Sequence, residues 1–443
     1  MRPGLLLIAA VLLLAGCGYR APLHASYIPE VTDTTRYAGV RADYQQLAAL
    51  MEKDTGLEPT GGNAVALLPD VQVKWQAMMG DIASAEESVY MDYYRFLADS
   101  TGSALAHALK DRAVQGADVR LILDKYAGSK ADRDSLERLF AGDVKLGWFR
   151  APVFLLDYVW PEISTHRDHR KILLMDGNTG YIGGRNIADK YYTHWRDADM
   201  RITGPAVDHL SMVFKHDQDK VAPEMGPLKP AGGTVSLDAV PGKAERVCCD
   251  TIPGLEQRRD ATVQIVYDDP TDRLLPVRNC FEWAIGHARR YLWFYNPYTP
   301  PPASTLRALK DAAARGVDVR WIAPGINDVA PEKWMGESLY RELLDAGVRI
   351  YEWEGDYLHA KELVSDDYLT VNGSANMDNL SFFLNYEVLA IVYDRETALS
   401  AAATFRSDIA DHCREITLDE VLRWGFLRHL RNWITRTLAG HLG

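Results

Sequence analysis

The chain carries the pattern His-x-Lys-x4-Asp twice. His169, Lys171 and Asp176 recur as His359, Lys361 and Asp366, at one fixed offset (359 − 169 = 190) that Gly183/Gly373 and Asn186/Asn376 also keep. A carboxylate follows each histidine at the same spacing, Asp197 in the first copy and Glu387 in the second. A polar constellation duplicated in register over that distance demands a fold in two similar halves, and it points to one site built from both. At 443 residues the chain is long enough for two core-bearing domains.

The duplication extends beyond the motif. The run Leu109–Arg120 parallels Leu309–Arg320, each placing apolar residues at helical spacing ahead of a glycine, Gly116 or Gly316. That glycine is a natural helix C-cap, and an apolar strand follows at Val119–Leu123 or Val319–Ala323. Strand, helix and strand in succession make the expected fold α/β, a sheet layered with helices in each of two similar halves. The boundaries fall at 61–222 for the first domain and 260–443 for the second. Residues 223–259, rich in Pro, Gly and charge, form the linker, and 18–60 form a tether with a docking helix near Tyr44–Glu52. The offset shrinks from 200 to 190 between the two repeated units, which places an insertion around Phe149–Ile163 in the first half. Its aromatic and apolar residues suit a lid or lipid-facing loop, or equally local core packing. The segment Leu418–Leu442 reads as an amphipathic helix in which arginines interleave with Trp424, Phe426, Leu427 and Trp433. It fits either a membrane surface or packing on the second domain.

The N-terminus reads as a targeting segment. Arg2 precedes an apolar run, Leu5 through Leu14, too short to span a bilayer comfortably. The run ends in Leu14-Ala15-Gly16-Cys17, so residues 1–17 resemble a lipoprotein signal peptide with its lipobox, which implies lipidation at Cys17. The expected location is the bacterial cell envelope, lipid-anchored on the periplasmic side; Gly18 after the cysteine does not signal retention at the inner membrane. The other cysteines are Cys248, Cys249, Cys280 and Cys413, which in an exported chain have three full disulfide pairings. None shows metal-site spacing, so no metal and no cofactor are expected.

The motif sits on hairpins. Lys171–Met175 and Tyr181–Ile182 flank the Asp176-Gly177 turn, and Glu362–Ser365 and Tyr368–Val371 flank Asp366-Asp367. His and Lys two apart on a strand project from one face. The stretches Gly183-Gly184-Arg185-Asn186 and Gly373-Ser374-Ala375-Asn376 end the return strands, where small residues let backbone amides and an Asn side chain approach a ligand. Two histidines, two lysines and two asparagines converging on one point suit a phosphate diester. One histidine attacks phosphorus, the other protonates the leaving alcohol, and the lysines neutralise the non-bridging oxygens. Asp197 and Glu387 are candidates to accept the proton on the far ring nitrogen, each for the histidine that precedes it in its own copy.

The repeated motif is the hallmark of the phospholipase D superfamily. The longer stretches His169–Asp176, Gly183–Asp189, Trp195–Asp197, Asn296–Tyr298 and Leu358–Glu387 resemble bacterial cardiolipin synthases. The likeness covers about residues 58–440. It implies two similar phospholipase D-like α/β/α domains, each a mixed sheet flanked by helices, related by a pseudo-two-fold around one shared active site, with His169 and His359 as the catalytic pair and no cofactor. Lys171, Lys361, Asn186 and Asn376 would bind phosphate with Gly184 and Ser374. Asp176 and Asp366 complete the catalytic motif but in this family look mainly structural, holding the hairpin by ion pairing. The chain departs from the family in having a lipobox where the longest members begin with two membrane helices. It also has Gln218 where they place a tryptophan. The leading expectation is a phosphatidyltransferase acting on phosphatidylglycerol through a phosphohistidine. A phospholipase D releasing phosphatidic acid is the alternative, and a metal-independent secreted nuclease or a non-enzymatic membrane scaffold is more remote. The net charge of −12 disfavours nucleic acid as a partner.

Overall fold

The computed structural model describes residues 34–149, 166–229, 256–272, 274–298 and 300–439. The leader with Cys17, the aromatic insertion around Phe149–Ile163 beyond residue 149, and the pair Cys248 and Cys249 lie outside the described residues. Among the described residues Cys280 and Cys413 are free thiols and do not pair with each other.

The first half contributes strands β1 (Thr60–Leu68), β2 (Ser88–Tyr93), β3 (Asp118–Asp124), β4 (Lys145–Phe149), β5 (Lys171–Met175), β6 (Thr179–Gly183), the short β7 (Trp195–Arg196) and β8 (Asp199–Thr203). The second contributes β9 (Arg258–Asp268), β10 (Tyr291–Tyr295), β11 (Asp318–Pro324), β12 (Arg349–Trp353), β13 (Tyr357–Leu358), β14 (Glu362–Ser365), β15 (Leu369–Gly373), β16 (Glu387–Tyr393) and β17 (Cys413–Ile416). All but β7 and β13 form one 15-stranded sheet in the order β17-β12-β11-β10-β14-β15-β16-β9-β1-β8-β6-β5-β2-β3-β4. Read outward from the β9–β1 seam, the two sequences of strands match, with β17 as the extra edge. The duplication is therefore written into the sheet order. Two sheets, one per domain, were the expectation; the antiparallel pairing of β1 with β9 joins them into one.

Both faces of the sheet are covered, so its strands are continuous apolar runs rather than alternating ones: β2, β5 and β16 are buried at every residue. In the first half, helices Val71–Ser84, Ser100–Val114 and Lys130–Phe140 pack with one face and helix Ala206–Val221 with the other. The glycines after the repeated helices, Gly116 and Gly316, do have positive φ (100° and 87°), the conformation a C-cap requires. At the hairpin tips Asp176 and Gly177 have φ of 49° and 63°, and Asp366 and Asp367 have 56° and 55°. Two successive positive φ values define the turn whose twist matches the flanking strands.

The docking helix is longer than its sequence signal, Thr34–Thr55. It packs on the second half, where Val40, Tyr44, Leu47 and Met51 join the same core as helix Pro276–His287. The C-terminal segment is two helices, Leu418–Leu422 and Phe426–Ala439, separated at Arg423–Gly425. Among the described residues no helix is long and apolar enough to cross a membrane.

Candidate active site

The segment before each motif histidine pairs with the opposite half. The backbone N–H of His169 donates to the carbonyl of Tyr386 (2.9 Å), beside a parallel bridge from Asp168 to Tyr386. The N–H of His359 donates to the carbonyl of Arg196 (2.7 Å), continuing the parallel pairing of β13 with β7. Tyr386 and Arg196 are the residues immediately before Glu387 and Asp197. Each histidine is thus laid beside the carboxylate of the other half: His169 Nδ1 is 2.9 Å from Glu387 Oε1, and His359 Nδ1 is 2.7 Å from Asp197 Oδ2. The in-half pairing expected from the common spacing is corrected to a crossed one. A carboxylate on Nδ1 selects the tautomer with its proton there and leaves the Nε2 lone pair for chemistry.

Lys171 Nζ donates to the His169 carbonyl and Lys361 Nζ to the His359 carbonyl. The side chain of Lys361 passes 3.3 Å from the position a Cβ on Gly184 would take, which brings the second-half lysine into the first-half motif. Tyr94 sets its ring edge-on to His169, centroids 4.9 Å apart, and lies 5.2 Å from Lys171 Nζ. Tyr298 does the same for His359, at 5.7 Å, and Lys361, at 5.9 Å. Tyr191 and Trp195 complete the wall around His359. Of these, Tyr298 and Trp195 fell inside the family-like stretches, but nothing in the sequence assigned any of the four aromatics a role. Rings at a site show no spacing signal that separates them from core.

Burial dominates the electrostatics. It removes water from the imidazolium form and, against the pull of Glu387, sets His169 down to about 4; burial and the neighbouring lysines set His359 down to about 3. Burial likewise lowers Lys171 to about 7 and Lys361 to about 8, although Glu387 and Asp197 oppose it. Burial pushes Glu387 up, yet His169, Lys171 and the Ser374 hydroxyl outweigh it and hold it at about 2. Asp197 lies well below the usual carboxylate range for the matching reason, its contact with His359 and Lys361 overcoming burial. Each pair therefore rests as a neutral imidazole donating to an ionised carboxylate.

The phosphate-binding assignments divide. The amides of Gly184 and Ser374 are already used, donating to the carbonyls of Ala198 (3.2 Å) and Val388 (2.9 Å). The Ser374 hydroxyl donates to Glu387, and a Cβ at Gly184 would come within 2.3 Å of Asp197 Oδ1. These two small residues hold or make room for the carboxylates. Asn186 and Asn376 are both buried. Asn186 Oδ1 accepts from the Arg95 amide (3.3 Å), while Asn376 Oδ1 is buried with no hydrogen-bond partner among the described residues.

Asp176 and Asp366 are not at the site. Asp176 lies five residues along β5 from Lys171, about 17 Å at strand rise. It accepts from the backbone N–H groups of Glu86 (2.9 Å), Glu87 (2.8 Å) and Ser88 (2.9 Å). Asp366 accepts in the same way from Arg289, Arg290 and Tyr291. Their place among the catalytic residues is corrected: each ties its hairpin tip to the start of the neighbouring strand, through amides and not through the ion pair expected. Asp176→Ala should cost about 1–2 kcal/mol by removing the acceptor of three amides, two of them exposed to water, and placing Ala at positive φ. Urea unfolding would show the loss while kcat, measured where the variant is folded, stays within about twofold. A collapse of kcat in the folded variant would return Asp176 to the chemistry.

Behind His169 lies a closed polar cluster the sequence did not reveal. Asp92, Asp168 and Asp217 bring ligand-type oxygens within 4.8 Å of one another, with Arg170 paired to Asp217. Burial first, and the adjacent carboxylates second, raise Asp92 well above the usual range, while Asp168 is raised to about 7. Gln218, which stands in place of a family tryptophan, is buried, takes Arg120 on its oxygen (2.8 Å) and donates to the Gly226 carbonyl (2.8 Å). Its work is to hold the chain at Gly226.

Comparison with known proteins agrees with this geometry. The family model described as "Cardiolipin synthase, PLD-like domain" matches residues 78–218 and 283–409, one stretch in each half. The chain is 29% identical over 388 residues to the major cardiolipin synthase ClsA of Bacillus subtilis (strain 168), covering 86% of this chain and 76% of that one. It is 30% identical over 374 residues to the cardiolipin synthase of Listeria monocytogenes serotype 4a (strain HCC23), covering 83% and 73%. Against cardiolipin synthase 2 of Bacillus anthracis, also 30% identical, it spans 64% of the relative's length. The crystal structure of phosphatidylserine synthase from Haemophilus influenzae Rd KW20 superposes with a TM-score of 0.65 at 15% identity over 90% of this chain, which bears on the fold alone. With the family model laid across both halves and the paired motifs converging between them, the chain belongs to the cardiolipin synthase family with phospholipase D-like domains.

Proposed function

We propose that the protein is a phosphatidyltransferase of the cardiolipin synthase type. The observation that carries this reading is the crossed arrangement of two histidine–carboxylate pairs with two buried lysines between the halves. Nε2 of His169 attacks phosphorus of a phosphatidylglycerol, and the bond to the glycerol oxygen breaks. His359 gives that oxygen its proton, so glycerol leaves and the phosphatidyl group stays on His169. The hydroxyl of a second phosphatidylglycerol then attacks the same phosphorus as His359 takes its proton, and cardiolipin departs from His169. Glu387 and Asp197 hold the rings and stabilise whichever imidazole carries charge.

His169 is assigned the first attack because it keeps slightly more open surface, 8% against 3% for His359. In the empty site both imidazoles are neutral. A phosphodiester brings negative charge between the two lysines, and its arrival favours a proton on His359. For free enzyme the required state is neutral His169, held above about pH 4, with cationic Lys171 and Lys361, lost as pH rises through about 7 and 8. Because the first step also needs a proton on His359, set at about 3 in the free enzyme, kcat/KM should fall as pH rises above about 4 and fall more steeply as the lysines lose their charge through about 7 and 8. A slope that does not steepen through pH 9 would remove the lysines from charge neutralisation.

The same reading takes residues 61–222 and 260–443 as the two phospholipase D-like domains, and residues 1–17 as a leader whose removal leaves Cys17 acylated in the cell envelope. Support for the anchor is the Leu14-Ala15-Gly16-Cys17 run alone. Palmitate label should enter the chain and be absent from Cys17→Ser; equal labelling would sink the anchor.

The deciding experiment incubates the protein with phosphatidylglycerol vesicles in chelator and resolves products by mass spectrometry. Cardiolipin with glycerol is expected. Phosphatidic acid with glycerol would make the protein a hydrolase in which water resolves the same intermediate, and degradation of plasmid without lipid turnover would make it a nuclease.

A further inference from the structure

The C-terminal helix is docked with its polar face inward. Glu337, 6% exposed on helix Ala330–Asp345, accepts from Arg428 (2.8 Å), Arg431 (2.6 Å) and Asn432 (3.1 Å), and Arg436 reaches Glu342 (3.1 Å). The apolar side chains point the other way: Phe426 is 72% exposed, Leu427 78% and Trp433 48%, with Leu422 just before them at 48%. A surface helix of a globular protein ordinarily turns its apolar stripe to the core and its charges to water. Here the ion pairs hold the helix and the stripe is left for something else.

We infer that this face is a membrane-contact surface that seats the enzyme on an anionic phospholipid bilayer. Three observations favour a bilayer over a protein partner. Of the four arginines from Arg423 onward, three are engaged by Glu337 and Glu342, which leaves the exposed Arg423 beside the apolar residues and no Asp or Glu on this stretch to repel an anionic surface, inside a protein of net charge −12. An exposed Trp beside Phe and Leu is the composition that rests at a lipid headgroup boundary. The supporting helix also begins two residues after Asp328, whose carboxylate accepts from Tyr298 (2.8 Å) at the active site and lies 3.4 Å from Lys190. Ile326 and Val329, on either side of Asp328, are themselves 48% and 45% exposed. One helix of 16 residues, about 24 Å long, thus links the patch to an apolar rim of the site. The choice of bilayer rests on the proposed phospholipid chemistry, since that chemistry brings lipid to the rim.

The test reads Trp433 directly. The full-length protein is mixed with vesicles of brominated phosphatidylcholine, with or without phosphatidylglycerol, and the Trp433 signal is taken as the difference from Trp433→Phe. Quenching is expected, stronger with phosphatidylglycerol, and it should vanish in Phe426→Asp/Leu427→Asp. That double variant should keep its turnover of phosphatidylglycerol dispersed in detergent micelles and lose at least about tenfold on vesicles, as an intact site deprived of its surface would. Trp433 unquenched in both vesicles would overturn the inference. So would a light-scattering mass that falls from dimer to monomer in the double variant with no quenching, which would assign the face to a second copy of the chain. If no lipid turns over in any form while Trp433 is still quenched, the catalytic reading fails and the membrane surface stands.

Discussion

His169→Ala and His359→Ala are each expected to lower kcat by about 10⁴-fold or more, with the double variant scarcely worse than either single one. The two rings act in sequence on one phosphorus, so the loss of either removes the covalent route as a whole. Folding should survive. Glu387 keeps the Ser374 hydroxyl and the Asn385 amide (3.4 Å) when His169 is removed, and Asp197 keeps the Ala198 amide (2.9 Å) when His359 is removed. Circular dichroism and unfolding curves check that point. Substantial activity in either single variant would dismantle the shared site. The pair can also be told apart with a nitrophenyl phosphodiester, whose leaving group needs no proton. His359→Ala should then release a single burst of nitrophenol and stall as the phosphohistidine, while His169→Ala should release none. The reverse pattern would make His359 the nucleophile.

Most of the site was legible because the duplication supplies its own control. Polar residues that recur at a fixed offset, on hairpins whose turns can be recognised, identify both histidines and both lysines without knowledge of packing. The sheet order then follows the repeat strand by strand. What the sequence hides is every relation between the halves. The β1–β9 seam sets Asn63 opposite Ala261, and no periodicity announces a pair so distant along the chain. The crossed carboxylates are hidden for the same reason: the shared spacing from histidine to carboxylate is real, but it measures position within a half. The partner is chosen by backbone pairing at Tyr386 and Arg196, one residue before each carboxylate. Asp176 and Asp366 are regular for a structural reason. They are as regular as the histidines, yet their regularity serves three amides at the far end of the hairpin. Repetition marks what a fold needs twice, whether for chemistry or for closing a turn.

The crossed pairing has its own kinetic consequence. Glu387→Gln should disable His169, 218 residues away in sequence, and Asp197→Asn should disable His359, 162 residues away. An amide in place of a carboxylate can present its NH₂ to the ring, which selects the tautomer with the proton on Nε2 and removes the lone pair that attacks phosphorus. The neutral amide also ceases to stabilise an imidazolium. Where an aspartate behind a catalytic histidine is replaced in this way, the loss is of order 10⁴ in kcat with geometry kept. A loss of about 10³–10⁴ is expected here for each variant, carried in kcat with KM little changed, because the lysines proposed to bind phosphate are untouched. The nitrophenyl substrate separates the crossed assignment from an in-half one. If Asp197 serves His359, Asp197→Asn should preserve the nitrophenol burst and block only the steps that need a proton moved, whereas Glu387→Gln should abolish the burst. Loss of the burst in Asp197→Asn with retention in Glu387→Gln would mean that each carboxylate serves its own half. The crossed contacts carry a second consequence that either outcome will bear on. A histidine held by the opposite half is oriented for attack only when the halves are docked, so the reactive tautomer and the assembled phosphate site arise together.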